Sequence, residues 1–172
     1  MIRVLALLAL MSAIPVSAQS GVDWVAVDSV FVSRAPTPDR PDLPAEAFSV
    51  PIADPTMLFV PGDVVLPDPT PEGWSALIAF RDRHPAIARG LHERLDAAGY
   101  AFYRGLRLDR DSTDEVVIVA GASGATRIKV ASVFPDDTVV REVLTGQITM
   151  VSYGEVSFEA DDSGMLLIEV VQ

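Results

Sequence analysis

The chain has 172 residues, with 13 Lys and Arg against 24 Asp and Glu, a formal charge of −11, and no cysteine. That charge repels phosphate backbones and argues against nucleic-acid binding. The missing cysteine removes disulfide frameworks, lipid-modified cysteines and thiolate metal sites.

Residues 1–18 read as a secretory signal. Arg3 is the basic start, Val4 to Met11 the apolar stretch, and Val16-Ser17-Ala18 supplies small residues for cleavage. Removal would leave residues 19–172 as one α+β domain of charge −12, since Arg3 leaves with the signal. No second apolar span follows, so a soluble periplasmic or secreted chain is expected. N-linked glycosylation has no acceptor, because asparagine is absent; Lys129 is the only lysine.

Val22 to Ser33 reads as a strand apolar on both faces, the pattern of a sheet interior. Ala35 to Pro71 holds ten prolines and little periodicity, with short apolar runs at 57–60 and 64–66. It is expected to be an extended excursion docked through those runs. Glu72 to Arg83 predicts a helix presenting Trp74, Leu77, Ile78 and Phe80. Pro85 then suits the first turn of a second helix. Ile87, Leu91 and Leu95, flanked by Ala88 and Ala98, would form its apolar stripe, and Gly99 its left-handed stop.

Tyr100 to Leu108 alternates as a half-buried strand. Further strands are predicted at 116–120, 126–134, 139–144, 148–152, 155–159 and 165–171, separated by Gly, Pro and Asp turns. The expected fold is α+β: a mostly antiparallel sheet or meander with one or two helices packed on one face. Val22–Ser33 and Tyr100–Leu108 are expected to pair in parallel through a right-handed crossover.

No stretch assembles a catalytic, cofactor or metal site. His84 and His92 are the only histidines, too few ligands for zinc, and neither has an evident orienting acid. His84 is expected to precede the helix and His92 to be solvated on it. Ser123, in Gly121-Ala122-Ser123-Gly124, lacks the glycine of a nucleophile elbow and reads as a hairpin turn; no Lys-Ser/Thr pair makes it a phosphate loop. Asp109 to Thr113 opens like a calcium loop, but Asp114 stands where glycine is needed and Ala120 where glutamate is needed. Asp161-Asp162-Ser163-Gly164 likewise reads as a turn. Paired carboxylates are not singled out. Trp24, Trp74, Tyr100, Phe102 and Tyr103 fit core positions better than a carbohydrate platform.

Three segments together resemble CsiV-like periplasmic proteins. These are Asp23 to Arg34 with its following Pro/Asp/Leu excursion, Leu95 to Leu108 with its Gly-Tyr joint, and the tail Glu155-Val156-Ser157-Phe158 with Asp161 to Ile168. The family's arginine-rich stretch and His-Pro hairpin are replaced here, and the resemblance carries over no site residue. It implies a non-enzymatic periplasmic factor that associates with cell-wall synthesis through an envelope protein partner, peptidoglycan, or both. The alternatives are a small exported hydrolase using acidic residues and an acidic module for a small ligand or cation.

Overall fold

Val116 to Ala120 sets the plan of the fold, because a five-residue apolar strand buries both of its faces only if something covers each side. In the computed structural model, which describes residues 55–59, 62 and 64–171, two different layers do so. The expected signal, the Val22–Ser33 strand and residues 35–54 of the excursion lie outside the described residues.

The described chain runs through a 3-10 turn at Pro55–Phe59, then helices α1 (Ser75–Arg83) and α2 (Pro85–Arg89). Eight strands follow: β1 (Leu91–Leu95), β2 (Tyr100–Arg107), β3 (Thr113–Ala120), β4 (Ala125–Lys129), β5 (Val139–Glu142), β6 (Ile148–Met150), β7 (Glu155–Glu159) and β8 (Met165–Val170). Six of them form an antiparallel sheet in the order β1-β2-β3-β8-β5-β6, and β4 pairs with β7 as a separate ribbon. The helices pack on one face of the large sheet, as the sequence predicts. The meander holds for β1-β2-β3 and for β5-β6, while the last strand inserts between β3 and β5. With β1 and β3 on its two sides, β2 has no edge left for the expected parallel partner at Val22–Ser33.

Alternation sorts the core. Val116, Ile118 and Ala120 face the helix side with Tyr100, Phe102, Leu167, Leu77, Phe80 and Ile87. Val117 and Val119 face the ribbon with Leu166, Ile168, Ile128, Phe134 and Phe158. Each fully buried Val, Leu or Ile contributes about 1.5–3 kcal/mol relative to exposure. Arg81 of α1 donates to the carbonyls of Leu58 and Gly62, and the Phe59 ring meets Phe80 edge-on at 6.3 Å. Those contacts fasten part of the excursion against α1.

The second helix is much shorter than expected. It stops at Arg89, and Leu91–Leu95 is strand β1, paired with β2 from Leu91↔Gly105 to Leu95↔Ala101. Gly90 is the cause. A Cβ there would lie 2.5 Å from the Ala86 carbonyl oxygen and 2.7 Å from that of Gly105, and its ψ of 165° turns the chain into extended backbone. Leu91 and Leu95, four residues apart, imitate a helical stripe but sit at opposite ends of one strand. Gly99 does take a positive φ of 92°, but in the β1–β2 hairpin, where a Cβ would meet the Ala120 carbonyl at 2.6 Å. The strand expected over 126–134 ends at Lys129, and Val130 to Phe134 turns through Val130 C=O bonds to the N–H groups of Val133 and Phe134.

The ends of the large sheet reach the ribbon without closing a barrel. Ala97 bridges Ile128, and Lys129 N–H donates to the Asp96 carbonyl at 3.0 Å. At the other end the Gln147 side chain acts as a substitute strand: its Nε2 donates to Glu159 O at 2.8 Å and its Oε1 accepts the Glu159 N–H at 3.0 Å. Glu142, fully buried, accepts from Leu144 N, Thr145 N, the Thr145 hydroxyl and Leu167 N at 2.6–3.1 Å, closing the turn after β5.

Candidate functional site

His84 is the single residue between α1 and α2. Proline disfavours helical backbone in the residue before it. With Pro85 following, His84 takes φ −117° and ψ 85° and leaves the helical path. Its ring lies 4.5 Å from the Phe80 ring, and both nitrogens meet carboxylates rising from the sheet. Nδ1 is 2.7 Å from Asp114 Oδ1 on β3, and Nε2 is 2.8 Å from Glu169 Oε2 on β8. Asp114 Oδ2 also accepts the Ala86 N–H at 2.8 Å, so it caps the start of α2 from across the fold.

Glu169 is the hub. Strand register places Arg141 of β5 beside it, and Arg141 donates through Nε at 3.2 Å and through Nη2. Arg83, from the last turn of α1, donates to Oε2 at 3.2 Å. Glu169 itself is 6% exposed, while the side chains of Arg83 and Arg141 remain 48% and 47% exposed. They open on a cleft of about 330 Å³ lined by Arg83, His84, Arg141, Glu169, Val170 and Val171.

The charges follow from this geometry. Burial pulls the His84 pKa down, but the hydrogen bonds and charges of Asp114 and Glu169 more than reverse it and hold it above 6.5. Only the imidazolium can donate from both nitrogens, which is what two flanking carboxylates require. Burial pushes the Glu169 carboxyl up, and the bonds from Arg141, His84 and Arg83 overcome it, leaving the pKa below the ordinary 4.5. Arg104 of β2 is fully buried under α2, donates to Ile87 O at 2.5 Å, and is pushed down to about 9 by burial and by the charge of Arg81.

His84 does precede a helix, as expected, but it is not without orienting acids: Asp114 lies 30 residues away and Glu169 85 residues away. His92 is not on a helix. It is in β1, half-buried, with its ring 5.1 Å from Phe102. Ser123 is exposed in a turn flanked by the positive φ angles of Gly121 and Gly124, and that turn joins two different sheets instead of a hairpin. Asp109 Oδ1 accepts the N–H groups of Asp111 and Ser112 at 2.8 and 2.9 Å, bonds that lower its pKa and close a tight turn. Asp161 Oδ1 accepts from Ser163 N in the same way at 2.9 Å. Tyr100 and Phe102 are core, Trp74 packs against that core, and Tyr103 is half-buried with its hydroxyl 3.0 Å from Glu115. Trp24 lies outside the described residues. Among the described residues, no three His, Cys, Asp or Glu side chains are grouped to hold a metal, and no helix is long and apolar enough to cross a membrane.

One signal for the cluster was present in the sequence. Glu169 interrupts Met165–Val171, an otherwise apolar run, and a carboxylate in a strand buried on both faces needs cationic partners.

No family model matches the chain, and no curated protein matches it significantly. Among solved structures, an AmyP variant in complex with maltotriose aligns with a TM-score of 0.40 and 17% identity, over 58% of this chain and 20% of that one. AmyP in complex with maltose aligns at 0.37 and 18%, over 55% and 19%. The chain thus spans about a fifth of the length of these structures, and a likeness this partial assigns neither a fold family nor an activity.

Proposed function

We propose that this is an exported, non-catalytic binding protein of the bacterial envelope, and that the Arg83–Arg141 cleft is its recognition surface. The observation that carries the reading is how the acid–base groups are engaged. Both nitrogens of His84 are held by carboxylates, and Glu169 is held by His84 and two arginines. A general base needs a ring nitrogen directed at a substrate proton. Here the bonds fix the arginines as a rim instead. The signal-like start and the resemblance to CsiV-like proteins support an association with cell-wall synthesis, through peptidoglycan or an envelope protein.

Co-sedimentation with purified peptidoglycan, together with affinity capture from envelope extracts, tests this. Retention on the glycan, or recovery of a cell-wall synthase or its activator, is expected. Failure of both overturns the reading. So does hydrolysis of glycan or peptide by the chain that His84→Gln abolishes, since that would make the Asp114–His84 pair a catalytic base.

A further inference from the structure

We propose that the cleft between Arg83 and Arg141 binds a carboxylate carried on an apolar group, the carboxylate bridging the two guanidiniums and the apolar group lying beside Val171 and Val139. The inference rests on the binding reading above and names the ligand class of that cleft.

Charge decides the head group. The two guanidiniums share Glu169, while His84 is matched by Asp114, so the cluster keeps one positive charge in a chain of charge −11. A monoanion completes that balance. A dianion such as phosphate would overfill it beside Glu169 and meet the repulsion of the whole chain.

Geometry agrees. Guanidinium forks match carboxylates in planar, paired hydrogen bonds. The bonds to Glu169 pin Arg141 and Arg83 from opposite sides of one buried carboxylate, yet each side chain stays about half exposed on the cleft. Because the rim is already held, little side-chain entropy remains to be lost when a ligand arrives.

The tail site follows from the sheet. Val171 N–H bonds to Val139 O at 2.9 Å, and register sets Val139 opposite Met150 and Arg141 opposite Ile148. Val139, Val171, Met150 and Ile148 are 38–62% exposed, an apolar strip continuing from the arginine pair. A cleft of about 330 Å³ takes one such group, the end of a chain and not a length of it.

Titrations followed by amide chemical shifts on the full chain test this, using N-acetyl-valine, N-acetyl-valinamide, octanoate and inorganic phosphate. N-acetyl-valine is expected to shift the amides of residues 141 and 169–171 and to bind roughly tenfold more tightly than its amide, the loss that one charge-assisted contact carries. Arg83→Gln should weaken the acid by a similar factor and leave the amide unchanged, with Glu169 still held by Arg141 and His84. Octanoate binding as well as N-acetyl-valine assigns the site to acyl carboxylates; weaker octanoate binding assigns it to peptide C termini. Equal binding of acid and amide, tighter binding of phosphate, or no shifts at these residues overturns the inference. The acid–amide comparison on the unaltered chain decides even if Arg83→Gln does not fold. The broader reading fails separately, on loss of both peptidoglycan and partner retention.

Discussion

On one face of the six-stranded sheet, α1, which carries buried Arg81, and α2 sit over Arg104, Asp114 and Glu169; on the other, the β4–β7 ribbon covers mainly Val, Leu, Ile and Phe. The helix face is positioned by directed bonds: Arg81 to the 3-10 turn, Arg104 to the Ile87 carbonyl, Asp114 to His84 and Ala86. The ribbon face is positioned mainly by volume and by strand ends that touch, with the buried carboxylate of Glu142 closing one turn at its margin. Helices as short as α2, five residues, have little stability of their own and need external anchors. A two-stranded ribbon needs a hydrophobic face instead. The difference explains why the exposed charged cleft appears on the helix side, where charged side chains already cross between elements.

The comparison can be broken most forcefully on the ribbon side. Phe134→Ala removes a side chain that is 1% exposed and should cost about 3–5 kcal/mol, by the same amount at pH 5.5 and pH 8.5 in urea unfolding. A pH-dependent loss there would mean that the two faces are not separate. Next in size, Asp114→Ala strips acceptors from His84 and from the Ala86 N–H and should cost about 2 kcal/mol. Hydrogen exchange at Ala86 should accelerate with it, whereas exchange in β7 should not.

A pH series sharpens the contrast further. The folded pKa of His84 is raised above 6.5, so its stabilisation is fully present below 6.5 and is lost as pH rises through the folded value. Glu169 has the opposite sign: its lowered pKa gives stability that is present above 4.5 and lost as pH falls through the folded value. Unfolding midpoints should therefore decline on the alkaline side, and His84→Gln should flatten that limb. Persistence of the slope in His84→Gln would assign it elsewhere. The smallest effect belongs to Lys129→Ala. Its ion pair with Asp96 joins two mostly exposed side chains, and the thermal midpoint should not move measurably.

The large strands were legible because their signal is local. The apolar runs in β3 and β8 announce themselves within eight residues. Alternation places β2 as a strand, although it is buried on both faces instead of half-buried, with Tyr100 and Phe102 toward the helices and Ala101 toward the ribbon. The α2–β1 boundary was not, since Leu91 and Leu95 satisfy a helical spacing, and what makes them a strand is the pairing with β2, beside which Gly90 leaves no room for a Cβ. That pairing depends on the next strand and is invisible to periodicity within the segment. The cleft was hidden for the same reason. Residues 83, 84, 114, 141 and 169 meet through a strand order in which β8 slips between β3 and β5, and chain order gives no hint of that insertion. The acid within the β8 run announced a need for a partner without naming one.

The amide of Gln147 bears on molecules other than its own. A strand edge with free N–H and C=O groups is a template on which a second chain can extend the ladder. By answering both backbone groups of Glu159, Gln147 seals that point of the ribbon from within. Its effect is then felt as concentration rises: one side chain acts as a terminator, keeping neighbouring copies from being read as the next strand.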